Sequence, residues 1–309
     1  MTESMGPSTD QVDLELAVGA EAAPRTQWQL FWRRFLKHRL AVASLLTLTL
    51  ISFACFFADW VAPYDLDELD LTLIGVVKGP SWQHWMGTTD LGQDQFSQIL
   101  HAGQISLKIG FFVAILSTLF GVTVGALAGY YGGIVDQIVS GFTDGFLVIP
   151  QLAILAVLLK YFGQSTNVII FVLAALGWTY VARVSRGQVL SFKEKEFVEA
   201  ARAAGATGPR IIGRHVLPNM VGPIMVNLTL SVAGAIITEA TLTFLGYGVK
   251  PPETSWGFML SANEGAINDT AKMHLLLFPG LMLLIVVLCV NFLGDGLRDA
   301  FDPQAKHST

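Results

Sequence analysis

Charge is what this sequence has least of. Asp, Glu, Lys and Arg make up 14% of its 309 residues, where a soluble domain carries about a quarter. With 52% hydrophobic residues and 20 Phe, the chain has too little charge to clothe a water-soluble globule. Cysteine is nearly absent. Cys55 and Cys289 each sit inside an apolar run and read as small hydrophobes, which leaves no disulfide framework or thiolate metal cluster. The net charge is -5 and the one basic stretch set among aromatics, 28–39, leads straight into an apolar run, so nothing points to nucleic acid. Also missing are a G-x-x-x-x-G-K-[ST] phosphate loop, an H-E-x-x-H zinc helix and a G-x-S-x-G nucleophile elbow. No catalytic residue, metal site or cofactor is expected in this chain, and if ATP drives it, another chain binds the nucleotide.

What the sequence does have is long apolar runs. Six reach membrane length, at about 40–60, 105–128, 138–160, 167–183, 219–246 and 275–294. Each is near the twenty residues a helix needs to cross roughly 30 Å of hydrocarbon. An all-α polytopic membrane protein with six transmembrane helices is the expectation. The first run follows basic residues as a signal peptide would, but its core is too long and no small-x-small cleavage site follows, so it reads as an uncleaved anchor. Ahead of it, residues 1–26 are acidic and aperiodic and read as a disordered tail. Residues 27–39 place Trp28, Phe31, Trp32 and Phe35 at helical spacing among Arg33, Arg34, Lys37 and Arg39, the composition of an amphipathic helix lying in a bilayer interface.

Six spans divide the basic residues unequally. Fourteen fall on the side of the two termini and of the loop after the fourth run, against Lys78, Lys108, Lys160, Lys250 and Lys272 on the other. Both termini and that loop are therefore expected on the cytoplasmic side of the membrane. The remaining divisions are 40–104 for the first span with a long extracytoplasmic loop, 105–294 for the main bundle with a cytoplasmic loop at 184–218, and 295–309 for a cytoplasmic tail.

Three sets of residues inside the runs are candidates for a role. Ser117, Gly121, Gly125 and Gly129 recur every fourth residue, a stripe that lets another helix approach closely. On the fifth run Asn227, Ser231 and Thr238 share one face, and with Asp144 on the third they are candidates for a translocation pathway. Asp136 reads as an anchor at a helix end. Glu239, about twenty residues beyond Asn219 and thus about 30 Å from the inner boundary, is expected at the outer mouth, ionised and wet, either as a solvated helix cap or as a group that meets cargo.

A polar, Ala-rich island of about thirty residues within 184–218 interrupts the apolar pattern. Glu199, Ala200, Ala201, Arg202, Ala203 and Ala204 favour a helix, Gly205 is placed to end it, and after Ala206 and Thr207 Pro209 suits the first turn of another. A short helix standing in water needs a partner surface. The order Glu-Ala-Ala, Gly205, then Leu217-Pro218 resembles the cytoplasmic loop of ABC importer permeases, with His215 where an aliphatic residue is commoner. Four further segments are similar to the peptide/nickel subgroup of that family. They are 87–97, in which Thr89 stands for an Asp and Gln93, like the adjoining Gln98, for an Arg; 178–187; 238–257; and 291–303. Together they resemble the C-type partner of a permease pair. The resemblance implies the type I importer permease fold and a heterodimeric pore with a second permease subunit. It also implies two ATPase subunits carrying ATP and Mg, one of them docked on Glu199, Ala200, Ala201, Arg202, Gly205, Ala206, Thr207 and Pro209. An extracytoplasmic substrate-binding protein would deliver short peptides, with nickel chelates and glutathione as alternatives. An ion-coupled secondary transporter is the competing class; it would show repeated halves and charged groups at mid-depth, which this sequence does not.

Overall fold

A computed structural model describes residues 27–301, apart from positions 67 and 71. The expected tail at 1–26 lies outside the described residues. So do 302–309, with Asp302 and Pro303 of the 291–303 segment and, among the fourteen basic residues, Arg25 and Lys306. Helix is the only extended regular element among the described residues, beside one isolated bridge between Thr88 and Asp94. Five helices are long and apolar enough to cross a membrane: α2 (Arg39–Phe56), α4 (Gln95–Tyr131), α7 (Thr166–Phe192), α11 (Val221–Phe244) and α13 (His274–Phe301). A sixth span results if the bent pair α5 (Gly133–Val148) and α6 (Gln151–Phe162) crosses as one. Short helices complete the chain. They are α1 (Gln27–Lys37), α3 (Ala58–Val61), α8 (Glu196–Ala203), α9 (Gly208–Ile211), α10 (Leu217–Asn219) and α12 (Trp256–Ala262).

The bend corrects the sequence reading of one straight third span. The axes of α5 and α6 meet at 88°. Pro150 follows Ile149, whose backbone is extended at φ -79°, ψ 138°. A residue before proline is pushed out of the helical region and the proline ring has no N–H to offer, so the helix stops and restarts. Two other boundaries also move. The fourth run prolongs into helix as far as Phe192, so the loop opens at Lys193 and not at 184. The last helix likewise runs to Phe301 through residues expected to be tail. There Gly294 lies against Thr229, and Gly296 against Ala41 and His38, so neighbouring helices hold this extension in place.

The centre of the bundle is the contact of α4 with α7, and the small-residue stripe forms it. A Cβ added to Gly121 would stand 2.7 Å from the Val181 Cβ and 2.8 Å from the Trp178 carbonyl, and one on Gly129 would stand 2.8 Å from the Arg186 carbonyl. At Gly125 it would run into the Ala182 carbonyl. Ser117 is buried and spends its hydroxyl on the Val113 carbonyl of its own helix, 2.7 Å away. Around this seam Ile109, Val113, Leu155, Leu159, Ile169 and Leu173 make one apolar core. α4 has 37 residues, about 55 Å at 1.5 Å each, so it overruns a bilayer. One end carries the 193–220 loop; the other carries a cap made of residues 62–94 and 246–273.

Candidate functional site

The 193–220 loop is a small rigid body. α8 ends in a Schellman turn: Gly205 sits at φ +78°, the Ala206 N–H donates to the Ala201 carbonyl and the Gly205 N–H to the Arg202 carbonyl, each at 3.0 Å. Only glycine reaches that backbone region without strain. Pro209 stands in the first turn of α9. Beyond it Ile212–Val216 form one π-helical turn. The wider turn relieves the clash Pro218 would make with the carbonyl four residues back. The underside of the loop is apolar and sealed. Val198, Ile211 and Val216 are fully buried among Ala126, Val189 and Met220, which belong to α4, α7 and the approach to α11. The top is open: Phe197, Glu199, Ala200, Arg202, Ala203, Ala204, Gly205, Thr207 and Pro209 are exposed, with Ala201 and Ala206 half-buried. This is a knob fixed to three spans from below.

Two ion pairs tie the bent third span to α7. The Arg186 guanidinium forks onto both carboxylate oxygens of Asp136, its Nη2 standing 2.6 Å from Oδ2, and the Ser140 hydroxyl donates to Oδ1 at 3.3 Å. Arg183 pairs with Asp144 on a more exposed face. Asp144 is thereby partnered, and it is not joined to the α11 candidates. There the Asn227 amide donates to the Pro223 carbonyl at 2.8 Å and the Thr238 hydroxyl to the Gly234 carbonyl at 2.7 Å, both within α11; Ser231 is half-buried. Beside the bend lies a cavity of about 50 Å³ lined by Phe146, Ile149, Gln151, Leu176 and Thr179.

The opposite end overturns the expectation for Glu239. Its side chain is completely buried, and Oε1 accepts from the Thr243 and Ser255 hydroxyls, both at 2.8 Å. Oε2 has no partner among the described residues. Position along the helix says nothing of what covers its end, and the end of α11 is not open to water. The chain folds back over it, with Gly257 lying on the Ala240 backbone and Gly248 against Thr243. Ser255 caps α12 by accepting from the Phe258 N–H at 3.2 Å. Trp256, also fully buried, donates its indole N–H to the Ile99 carbonyl at 2.9 Å, while its backbone N–H donates to the Ser106 hydroxyl at 3.1 Å.

Residues 62–94 continue this cap. Asp94 starts α4, accepting from the Ser97 N–H at 2.8 Å and hydroxyl at 2.9 Å, and meets His84 at 2.9 Å. The uncharged Gln98 and Gln93 donate their amides to one acceptor, the Leu66 carbonyl, at 2.8 and 3.4 Å. In the same loop Asp70 accepts from the Thr72 hydroxyl and N–H, which holds its carboxyl below the usual range. An open cleft of about 600 Å³ lies between Lys160, Gln164, Lys250 and Glu253. No cluster of His, Cys, Asp and Glu able to hold a metal occurs among the described residues.

Residues 121–307 match the family described as the binding-protein-dependent transport system inner membrane component. The chain belongs to that family. Residues 26–75 match the N-terminal TM domain of oligopeptide transport permease C. The oligopeptide transport system permease protein OppC of Mycobacterium tuberculosis (strain CDC 1551 / Oshkosh) is 39% identical over 276 residues, covering 89% of this chain and 94% of that one. The glutathione transport system permease protein GsiD of Pectobacterium atrosepticum is 37% identical over 292 residues, covering 94% and 96%. Among solved structures, the inward-facing MetNI methionine ABC transporter superposes with a TM-score of 0.57 at 20% identity, over 67% of this chain and 97% of that one, which establishes a shared fold. This permease is thus a multi-pass membrane subunit of the ABC importer type and not itself the ATPase.

Sequence reasoning named the exposed residues of the loop but missed what holds them: Val198, Ile211 and Val216. Their signal was present, since three β-branched residues in a polar island have to be buried somewhere. It flagged Asp136, Asp144, Arg183 and Arg186 one by one without pairing them. Ser255 and Trp256 stood out only as part of the 238–257 resemblance and Ser106 not at all, because only the fold-back of the chain brings them to Glu239 and to Ile99.

Proposed function

We propose that this permease forms half of a heterodimeric pore in the bacterial inner membrane. Its partner is a second permease, and one of two ATPase subunits holding ATP and Mg docks on the 193–220 loop. An extracytoplasmic binding protein hands over short peptides. One observation carries the docking: the top of the knob is a compact surface, with Phe197 38% exposed, while its base is locked to α4, α7 and α11. A push on that surface reaches three spans together without first deforming the loop. The excess of Lys and Arg on the loop side supports a cytoplasmic position for it and for both termini. Peptide cargo is supported by the relatives, whose names state oligopeptide and glutathione transport; glutathione is itself a tripeptide.

The test is uptake into proteoliposomes containing this chain, the second permease and the ATPases, with loaded binding protein outside. A labelled short peptide should accumulate only with ATP and Mg inside. Accumulation driven by a proton or sodium gradient without ATP would overturn the reading in favour of a secondary transporter.

A further inference from the structure

α1 has more apolar surface than the protein covers. Phe31 and Phe35 turn inward, 8% and 3% exposed, against Ala41, Ala300 and Phe301; the Phe31 and Phe301 ring centres are 4.5 Å apart. One helical step round the same face, Trp28, Trp32 and Leu36 recur every fourth residue and are 64%, 51% and 61% exposed. The two indoles lean on the buried pair, with centroids 5.3 Å from Trp28 to Phe31 and 6.0 Å from Trp32 to Phe35, so the covered and uncovered halves form one apolar arc. Next to that arc the helix turns basic, with Arg33 and Lys37 exposed, followed by exposed Arg39.

Two observations say what covers the stripe. It runs on across the joint at His38 into the exposed apolar residues of the first span, Leu40, Leu46, Leu50 and Phe53, and only 17% of that span is buried within the chain. Tryptophan beside a lipid-facing span marks the headgroup level of a bilayer, and the adjoining cations complement phosphate. We propose that α1 is a foot seated on anionic phospholipid, with Trp28, Trp32 and Leu36 among the acyl chains and Arg33, Lys37 and Arg39 on the headgroups. The foot is not loosely tethered. His38 caps α2 by accepting from the Ala41 N–H at 3.1 Å and lies 3.7 Å from Asp299. Phe301, packed against Phe31 at a tilt of 41°, also fills the space beside Gly222, where a Cβ would stand 2.7 Å from the Phe301 Cβ. Foot, last helix and the start of α11, immediately after the 193–220 loop, thus share one joint.

The inference rests on the membrane reading of the chain and not on its cargo, so the test needs no transport. Full-length chain carrying Cys289→Ala and Trp32→Cys is labelled with bimane and placed in phosphatidylcholine vesicles with some phosphatidylglycerol. Spin-labelled phosphatidylglycerol or spin-labelled phosphatidylcholine is added as quencher. Both should quench, the anionic lipid more strongly by at least about fivefold, the factor a single surface cation supplies. Arg33→Gln/Lys37→Gln/Arg39→Gln should equalise the two lipids, and Arg33→Lys/Lys37→Arg/Arg39→Lys should retain the difference. Equal quenching in the unaltered chain would overturn the preference for anionic lipid. Absence of quenching by either lipid would show that protein covers the stripe and overturn the proposal outright. Amide exchange over 221–224 should be slower with phosphatidylglycerol present than without it; identical exchange would contradict the shared joint.

Discussion

The two ends of this permease solve the same problem in opposite ways. Each must hold irregular chain against a helical bundle. The 193–220 loop does so with grease: Val198, Ile211 and Val216 are driven into a pocket between spans, and the polar face is left outside. The cap at 246–273 does so with hydrogen bonds. Glu239, Thr243, Ser255, Ser106 and Trp256 bond to one another or to backbone in a volume sealed from solvent. Hydrophobic anchoring is non-directional and tolerates small shifts, which suits an element proposed to transmit motion. Buried polar networks are directional and costly when incomplete, which suits an element that must keep one shape.

Substitutions can break this contrast. The largest effect is expected at the seam on which both ends depend. Gly125→Leu drives a side chain into the Ala182 carbonyl, an overpacking cost of about 3 kcal/mol or more. Purified protein should show a large loss of folded yield; a native melting temperature would mean that α4 and α7 do not meet there. Next, Val198→Asp puts a charge into the apolar base of the loop, costing roughly 3–5 kcal/mol. Limited proteolysis should then cut between Lys193 and Arg214 much faster than in the unaltered protein, while a resistant loop would show that the base is not the anchor.

A third pair of substitutions sharpens the contrast at the cap. Glu239→Ala leaves the Thr243 and Ser255 hydroxyls without their acceptor and should cost about 2–3 kcal/mol. Glu239→Gln keeps an acceptor oxygen and should stay within about 1 kcal/mol. Thermal melts of the two variants measure this difference, and equal melting temperatures would return Glu239 to a solvated role. The smallest effects belong to the ion pairs. Asp136→Asn breaks a forked, partly shielded pair and should cost about 1 kcal/mol, and Asp144→Asn, on a more exposed face, only a few tenths. A larger loss from Asp144→Asn would mean that a neighbour shields that face.

The same contrast explains what the sequence disclosed. Apolar runs are a one-dimensional signal, so α2, α4, α7, α11 and α13 were legible, and Gly121, Gly125 and Gly129 stood out by spacing alone. The Glu-Ala-Ala stretch, Gly205 and Pro209 were equally plain, because caps and turns are encoded within a few residues. Glu239 was misread because its surroundings come from Ser255 and Thr243, and Ser255 reaches it only after a reversal of the chain that no local pattern records. The bend at Pro150 was present as a residue but was overlooked inside a run that satisfied the length rule. The prolongation of α7 to Phe192 was hidden because polar residues at a helix end look like loop until their packing is known.

The central claim is that the rigid knob transmits ATP hydrolysis to the spans. It is tested most directly with Gly205→Val, in which a β-branched residue must occupy a backbone at φ +78°, a strain of roughly 1–2 kcal/mol that unwinds the end of α8. In the assembled transporter, ATPase activity is measured with and without loaded binding protein. We predict a complex of normal yield and melting temperature whose ATPase activity no longer rises when loaded binding protein is added; stimulation equal to that of the unaltered transporter would contradict the claim.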